Sequence, residues 1–285
     1  MTLTKLSLAA TLAATTLAAP VFADGHAVAG MGYGLSGDGT TLVVFSDLTA
    51  PDAGTPVTLS APLDAIAYRP VTGELLGLSA GMIGVIDVET GEITDTGATF
   101  DEGAATGDGA AVGFDFNNKI DAVRAVSSEG VNLVYFPSDF GDEKANTVKR
   151  FTDLAYAAGD ANEGATPAIF ANAYTNAVNG AKQEGTAQFA LDAATDSLVT
   201  LANNEGTLGT VGAITIDGEP ADVSMMGGFE IISAEAGDDK ALAMLMLEGA
   251  ETTGLYAIDL TSGAATLIGD TGIGAMRGFA AQLPM

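Results

Sequence analysis

The 285-residue chain has no cysteine and no tryptophan, a single histidine, and ten lysines and arginines against 37 aspartates and glutamates. Each scarcity removes a class of chemistry. Without cysteine there is no thiol nucleophile, no thiolate metal site and no iron–sulfur cluster. Any exported form must then hold together without disulfides, which a chain this long manages by burying enough surface. The one histidine, His26, stands close to the N-terminus. That leaves almost no room for a His-based triad, a histidine-rich metal site or a core histidine base. With no tryptophan, a sugar platform would have to be built from tyrosine or phenylalanine. The formal charge of −27 repels nucleic acid and anionic membranes and attracts cations and cationic partners. Helix signals are scarce, and no glycine pattern occurs in a strand–turn–helix context, so nucleotide binding has no support.

The first 23 residues read as a secretory signal peptide. Lys5 supplies the positive end, "LSLAATLAATTLAAP" the apolar run, and Val21-Phe22-Ala23 puts small residues, Val21 and Ala23, at both cleavage-determining positions. The mature chain, 24–285, is expected to be periplasmic or secreted, and its loss of Lys5 makes it one unit more negative still. No later stretch approaches the ~18–20 uninterrupted apolar residues of a membrane-spanning helix. A hydrophobic content of 47% with 37 glycines argues for a packed, turn-rich domain rather than an acidic disordered tail.

Internal repetition organises the rest. "IDVETGEITDTG" at 86–97 recurs as "IDLTSGAATLIG" at 258–269. "LDAATDSLVTLA" at 191–202 reads as a weaker third copy, and "FSDLTAPDAGTPVTL" at 45–59 as a divergent fourth. "YFPSDFGDEKANTV" at 135–148 fills the same slot with a longer turn. Each reads as a hairpin whose Asp (Asp87, Asp192, Asp259) accepts turn N–H groups and whose glycine supplies the left-handed position. Ahead of them lie short Gly- or Ala-rich segments: 65–70, 113–118, 172–177, 228–233 and 278–283. Such segments suit innermost strands, where neighbouring backbones crowd together. Four units start near 64, 112, 170 and 226. The fifth is split between "RGFAAQLPM" at the C-terminus and "AGMGYGLSGDGTTLVVFSDL" at the N-terminus. The expected fold is therefore an all-β β-propeller of five blades, six being the alternative, over 24–285. Its ring is closed by pairing the terminal strands, which also leaves few open sheet edges.

In this order, "AIAYRPVTGELLGLSAG", "GFDFNNKIDAVRAVSSEGVNL", "LAYAAGDANEGATPAIFANAYTN", "NEGTLGTVG" and "GLYAIDLTSGAATLIG" followed by "MRGFA" resemble the bacterial family DUF4394 over most of the mature chain. The resemblance implies an exported, propeller-like protein and brings no established activity. The chain departs from the family pattern at Ala67, where an Asp is usual, and at Asn118, where "FNP" becomes "FNN". Any role of an acid at 67 is thus absent.

Two constellations carry candidate chemistry. Asp115 in "GFDF" and Glu230 in "GFEI" read as equivalent inner-strand positions, with Tyr174 as the third. Converging on the axis, they would hold a divalent cation through oxygen ligands or act as an acid/base pair. The competing structural reading pairs them with Arg69, Arg124 or Arg277. "GDANEGATP" at 159–167 concentrates Asp160, Asn162 and Glu163 in an oxygen-rich loop of the kind that holds Ca2+, against the plainer reading of a solvated connector. "SGDGTT" (36–41) and "TGDGAA" (106–111) read as ordinary turns. Three functions follow: a non-enzymatic monomeric module that binds a protein or small ligand on one face, a hydrolase built on Asp115 and Glu230, and a calcium-stabilised structural protein.

Overall fold

Inner strands without bulk are the starting point of the architecture. The computed structural model describes residues 29–283, so the signal-peptide reading and His26 lie outside the described residues. Five small sheets stand around one axis as a five-blade β-propeller. Blade 1 is made of Met276–Gln282, Met31–Ser36, Thr41–Phe45 and Thr55–Thr58, from axis to rim. Blade 2 is Ala65–Arg69, Glu74–Ser79, Met82–Ile86 and Ile93–Asp95. Blade 3 is Val112–Asn117, Ala122–Ser127, Asn132–Phe136 and Thr147–Arg150; blade 4 is Ile169–Tyr174, Gln188–Asp192, Ser197–Ala202 and Thr207–Ala213. Blade 5 is Val223–Ser233, Asp239–Leu247, Gly254–Ile258 and Ala264–Asp270. The split blade closes as expected: Met31 pairs with Gln282 and Leu35 with Gly278 in antiparallel register.

Crowding at the axis explains the inner-strand glycines. A Cβ on Gly113 would sit 2.6 Å from the backbone nitrogen of Asn172, and one on Gly228 would sit 2.2 Å from that of Phe279. Apolar side chains fill the spaces between blades. Ala65, Ala67, Leu76 and Leu78 of blade 2 pack on Val112, Phe114 and Phe116 of blade 3, and Phe170 and Leu191 of blade 4 on Phe229 and Ile231 of blade 5.

All five segments are hairpins, and four of them join the third strand of a blade to its outermost one. Asp87 accepts the amides of Glu89 and Thr90 at 2.9 and 3.0 Å, and Asp259 that of Thr261 at 2.8 Å. The copy at 191–202 is different. It joins the second and third strands of blade 4, whereas the others join the third and outermost. The third-to-outer reversal of that blade is Asn203–Glu205 closed by left-handed Gly206. Asp192 is accordingly buried, accepting the amides of Ala168 and Ala194 at 2.8 Å and the Tyr156 hydroxyl.

Two features have no counterpart in the repeat pattern. The segments entering blades 3, 4 and 5 first add a short parallel strand to the rim of the coming blade: Thr99–Phe100, Ala155–Tyr156 and Thr215–Ile216. The 175–187 connection of blade 4 lies across the axis where the inner strands end. Gly180 N–H reaches Pro70 O of blade 2 at 2.8 Å, Asn179 reaches Leu283 O beyond blade 1, and Asn176 accepts Gly237 N–H of blade 5 at 2.7 Å. Asn118 clamps it, its Nδ2 lying 3.0–3.1 Å from the carbonyls of Asn176, Val178 and Ala181. Asn118→Ala leaves those carbonyls without that donor and should cost about 1–3 kcal/mol. Proteolysis should then cut within 175–187 before any other segment; unchanged susceptibility would mean that the clamp holds nothing.

Candidate functional site

Alternation along Val112–Asn117 turns Phe114 and Phe116 toward blade 2 and leaves Asp115 facing blade 4. There its Oδ2 accepts the Tyr174 amide at 2.6 Å. Glu230 does the same two blades further on, accepting the amides of Ile231 at 2.9 Å and of Ala281 in blade 1 at 3.3 Å. Each carboxyl thus ties its inner strand to that of the following blade, and each is only 3% exposed. Burial pushes both well above the ordinary carboxylate range, against the backbone amides that pull them down, and the charge of Asp115 raises Glu230 further.

The three sequence candidates do not converge as a triad. Tyr174 meets Asp115 only through its backbone amide, while its hydroxyl takes a hydrogen bond from Arg124 Nε at 2.8 Å and donates to Asn203 Oδ1 at 2.9 Å. Burial pushes that phenol up to about 12, against the pull of Arg124. The arginines serve elsewhere. Arg124 reaches Asn132 and Asn204 as well as Tyr174. Arg69 makes a bidentate pair with Asp121, at 2.8 and 2.6 Å, and touches Asp139 at 2.7 Å and Glu74 at 3.1 Å.

Solvent has little access to this axial layer. At the face where the inner strands begin, the channel mouth has a volume of about 10 Å³ and is ringed by Ile66, Phe114, Phe170, Phe229 and Phe279. At the other end lies the 175–187 connection.

A pH prediction follows from the pair. A carboxyl raised in the folded state contributes stability that is fully present below its unfolded value near 4, and that is lost as pH rises through the folded value. Asp38, held near 2 by the Ser36 hydroxyl and the Thr40 amide and hydroxyl, works in the opposite sense. It is common to wild type and variant, so it cancels. The Asp115→Asn/Glu230→Gln double variant should therefore show a flatter decline of the thermal midpoint than wild type as pH rises above about 4. Parallel curves would sink the expectation.

The acidic connector is tied into the sheet. Asp160 accepts the Asn162 amide at 2.9 Å and both the amide and hydroxyl of Thr210 at 2.7 and 2.6 Å, while Glu163 accepts the Gly159 amide at 2.8 Å. Among the described residues no three acidic or histidine side chains are grouped to hold a metal ion.

A different place is open. Between blades 2 and 3, on the face where the inner strands begin, a cleft of about 380 Å³ is lined by Leu78, Phe100, Ala104 and Leu133, with Asp64, Ser79, Thr106 and Asp108 among its polar groups. Its outer wall is the 101–110 loop, whose "TGDGA" portion reads from sequence as an ordinary turn. The wall is set by local backbone chemistry. Gly107 is left-handed (φ 96°), and a Cβ there would lie 2.4 Å from Glu129 Oε2. Ala111 N–H bonds Ser128 Oγ at 3.1 Å, and Ser128 N–H bonds Ala111 O at 3.0 Å, anchoring the loop to blade 3. What signal the sequence holds lies in ten residues, all but Thr106 being Gly, Ala or acid, between two strands, long for a blade connection. A second, more open hollow of about 380 Å³ lies by Asp222, Met225 and Glu248.

The family model described as "Domain of unknown function (DUF4394)" matches residues 46–280. No curated protein matches the sequence. Among solved structures, a protein of unknown function from Bacteroides caccae is 7% identical, with 89% of this chain and 98% of that one covered, at a TM-score of 0.43. An auxiliary nutrient binding protein from Bacteroides ovatus is 11% identical, with 74% and 55% covered and a TM-score of 0.42. Apo AztD from Citrobacter koseri is 11% identical, with 85% and 55% covered and a TM-score of 0.36. The chain thus spans about half the length of the latter two, 55% in each case.

Proposed function

The chain belongs to the DUF4394 family, and from that premise and the geometry above we propose that it is an exported, monomeric, non-enzymatic binding module that takes a small ligand in the cleft between blades 2 and 3. One observation carries the reading. The cleft combines an apolar floor, Leu78, Phe100 and Leu133, with polar groups at its edge, the composition of ligand sites in general, and its volume falls at the small end of the about 300–1,000 Å³ such sites occupy. The axial carboxyls, by contrast, are engaged by backbone amides behind the ring of phenylalanines, which does not favour a hydrolase working there. Export rests on the N-terminal segment, whose positive, apolar and small-residue stretches are those of a signal peptide.

Methyl-labelled protein titrated with a fragment library tests the reading. The methyl resonances of Leu78 and Leu133 should shift with a subset of fragments, and Ala104→Phe, which fills the cleft, should abolish those shifts while leaving the rest of the spectrum in place. Fragments that shift only residues of other blades would overturn it.

A further inference from the structure

Arg277 is the one inner-strand arginine whose guanidinium is poorly held. It lies on Met276–Gln282, at the end where the inner strands begin. Its Nη2 is 3.4 Å from Asp64 Oδ1 and 3.4 Å from Ala110 O, and its Nε is buried with no hydrogen-bond partner among the described residues. Arg69 shows what a satisfied arginine looks like in this protein, with four contacts of 2.6–3.1 Å to three carboxylates. A guanidinium has five donors in a planar fork suited to a carboxylate, and among the described residues the contacts of Arg277 are both long, at 3.4 Å.

Its place gives this a meaning. Asp64 lines the cleft, and Ala110 directly follows Gly109, which also lines it. Arg277 stands behind the cleft's lining and reaches its axial edge through Asp64 and Ala110. The pair is long, and its side chains are 30% and 17% exposed, so opening it to admit a ligand sacrifices little attraction. Beside it, Leu78, Phe100 and Leu133 offer apolar surface. Positive charge, negative charge and apolar floor are thus adjacent at one site.

We infer that the cleft recognises a small zwitterion with an apolar side group, an α-amino acid of the leucine or phenylalanine kind, whose carboxylate lies on Arg277 and whose ammonium lies on Asp64. The inference rests on the cleft reading above and adds the ligand class. A neutral apolar ligand would leave the Arg277 donors unmatched, and a purely cationic one would use Asp64 and Asp108 while facing Arg277 with like charge. The acidic surface of the protein enriches cations in its neighbourhood, so Arg277 is the element that separates an amino acid from an amine.

Calorimetric titration with L-leucine, L-leucine methyl ester and N-acetyl-L-leucine tests it. Leucine should bind, and each analogue, lacking one pole, should bind about tenfold or more weakly, as expected for a lost hydrogen bond to a charged group. Arg277→Gln should erase the preference for leucine over its methyl ester and keep that over the N-acetyl compound. Asp64→Asn should do the reverse, and Arg277→Lys should restore part of the first preference, which a merely misfolded variant would not. Equal binding of all three compounds, or tighter binding of the ester, overturns the inference. Fragments that occupy the cleft while leucine gives no heat overturn the zwitterion alone; absence of any cleft occupancy, by fragment or amino acid, overturns the cleft reading with it.

Discussion

Replacing Arg69 by alanine is expected to lower the unfolding free energy by about 3–5 kcal/mol, the range for breaking one partner of a buried ion pair. The Arg69 side chain is 6% exposed and that of Asp121 7%. Between them they join the inner strand of blade 2 to the turn that follows the inner strand of blade 3. Removing the guanidinium strands a buried carboxylate and also removes the cation lying 6.0 Å from the centre of the Phe116 ring. Asp139 and Glu74 contribute little to this figure, because their side chains are 58% and 42% exposed and water screens them. Lysine at 69 should recover only part of the loss, since an ammonium does not reproduce the fork. The double variant Arg69→Met/Asp121→Asn, with no charge left to strand, should be more stable than Arg69→Ala. Urea denaturation decides the matter: a loss below about 1 kcal/mol for Arg69→Ala would show that the pair behaves as a surface contact.

Gly228→Ala is expected to destabilise by about 3 kcal/mol, the upper end of the usual overpacking range. The added methyl would meet Phe279 N at 2.2 Å and Phe279 Cβ at 2.6 Å. Those atoms belong to the inner strand of blade 1, which is hydrogen-bonded into its sheet and cannot retreat as a side chain could. Gly185 is the control: a methyl there meets nothing within 4 Å and no left-handed conformation is required. Gly185→Ala should stay within about 0.5 kcal/mol of wild type. Equal midpoints for the two variants in urea would mean that the ring expands to accept the methyl, contrary to a rigid axial spacing.

These two residues also mark how far the sequence could be read. Gly228 was recognisable as an inner-strand glycine because its neighbours repeat around the ring and backbone crowding demands small residues there. Arg69 stood out only as one of few arginines. Its partner Asp121 is 52 positions away, and no local pattern names it. Asp115 and Glu230 were legible as a matched pair, and they do make matched contacts. Tyr174 aligns with them in sequence, but the alignment does not show that it is the Tyr174 amide that meets Asp115 while the hydroxyl meets Arg124. The hairpin at 191–202 was misplaced for a similar reason: an Asp-centred reversal looks the same whether it joins second and third strands or third and fourth. The acids of 159–167 read from sequence as an oxygen-rich loop or a solvated connector, and oxygen content alone does not reveal that Thr210, on a later strand, donates to Asp160.

The sequence by itself determined the all-β class, the periodic blades, the turn aspartates and the ring closed by its own ends, because these depend on local propensity, on turn chemistry and on repetition along the chain. Only the tertiary structure decided which carboxylate meets which amide, that Asn118 holds the 175–187 connection across the axis, and that Arg277 meets Asp64, 213 positions away, at the edge of one cleft. Those pairings arise from the curvature that brings five blades around an axis, and that curvature is a property of the packed ring rather than of any segment within it.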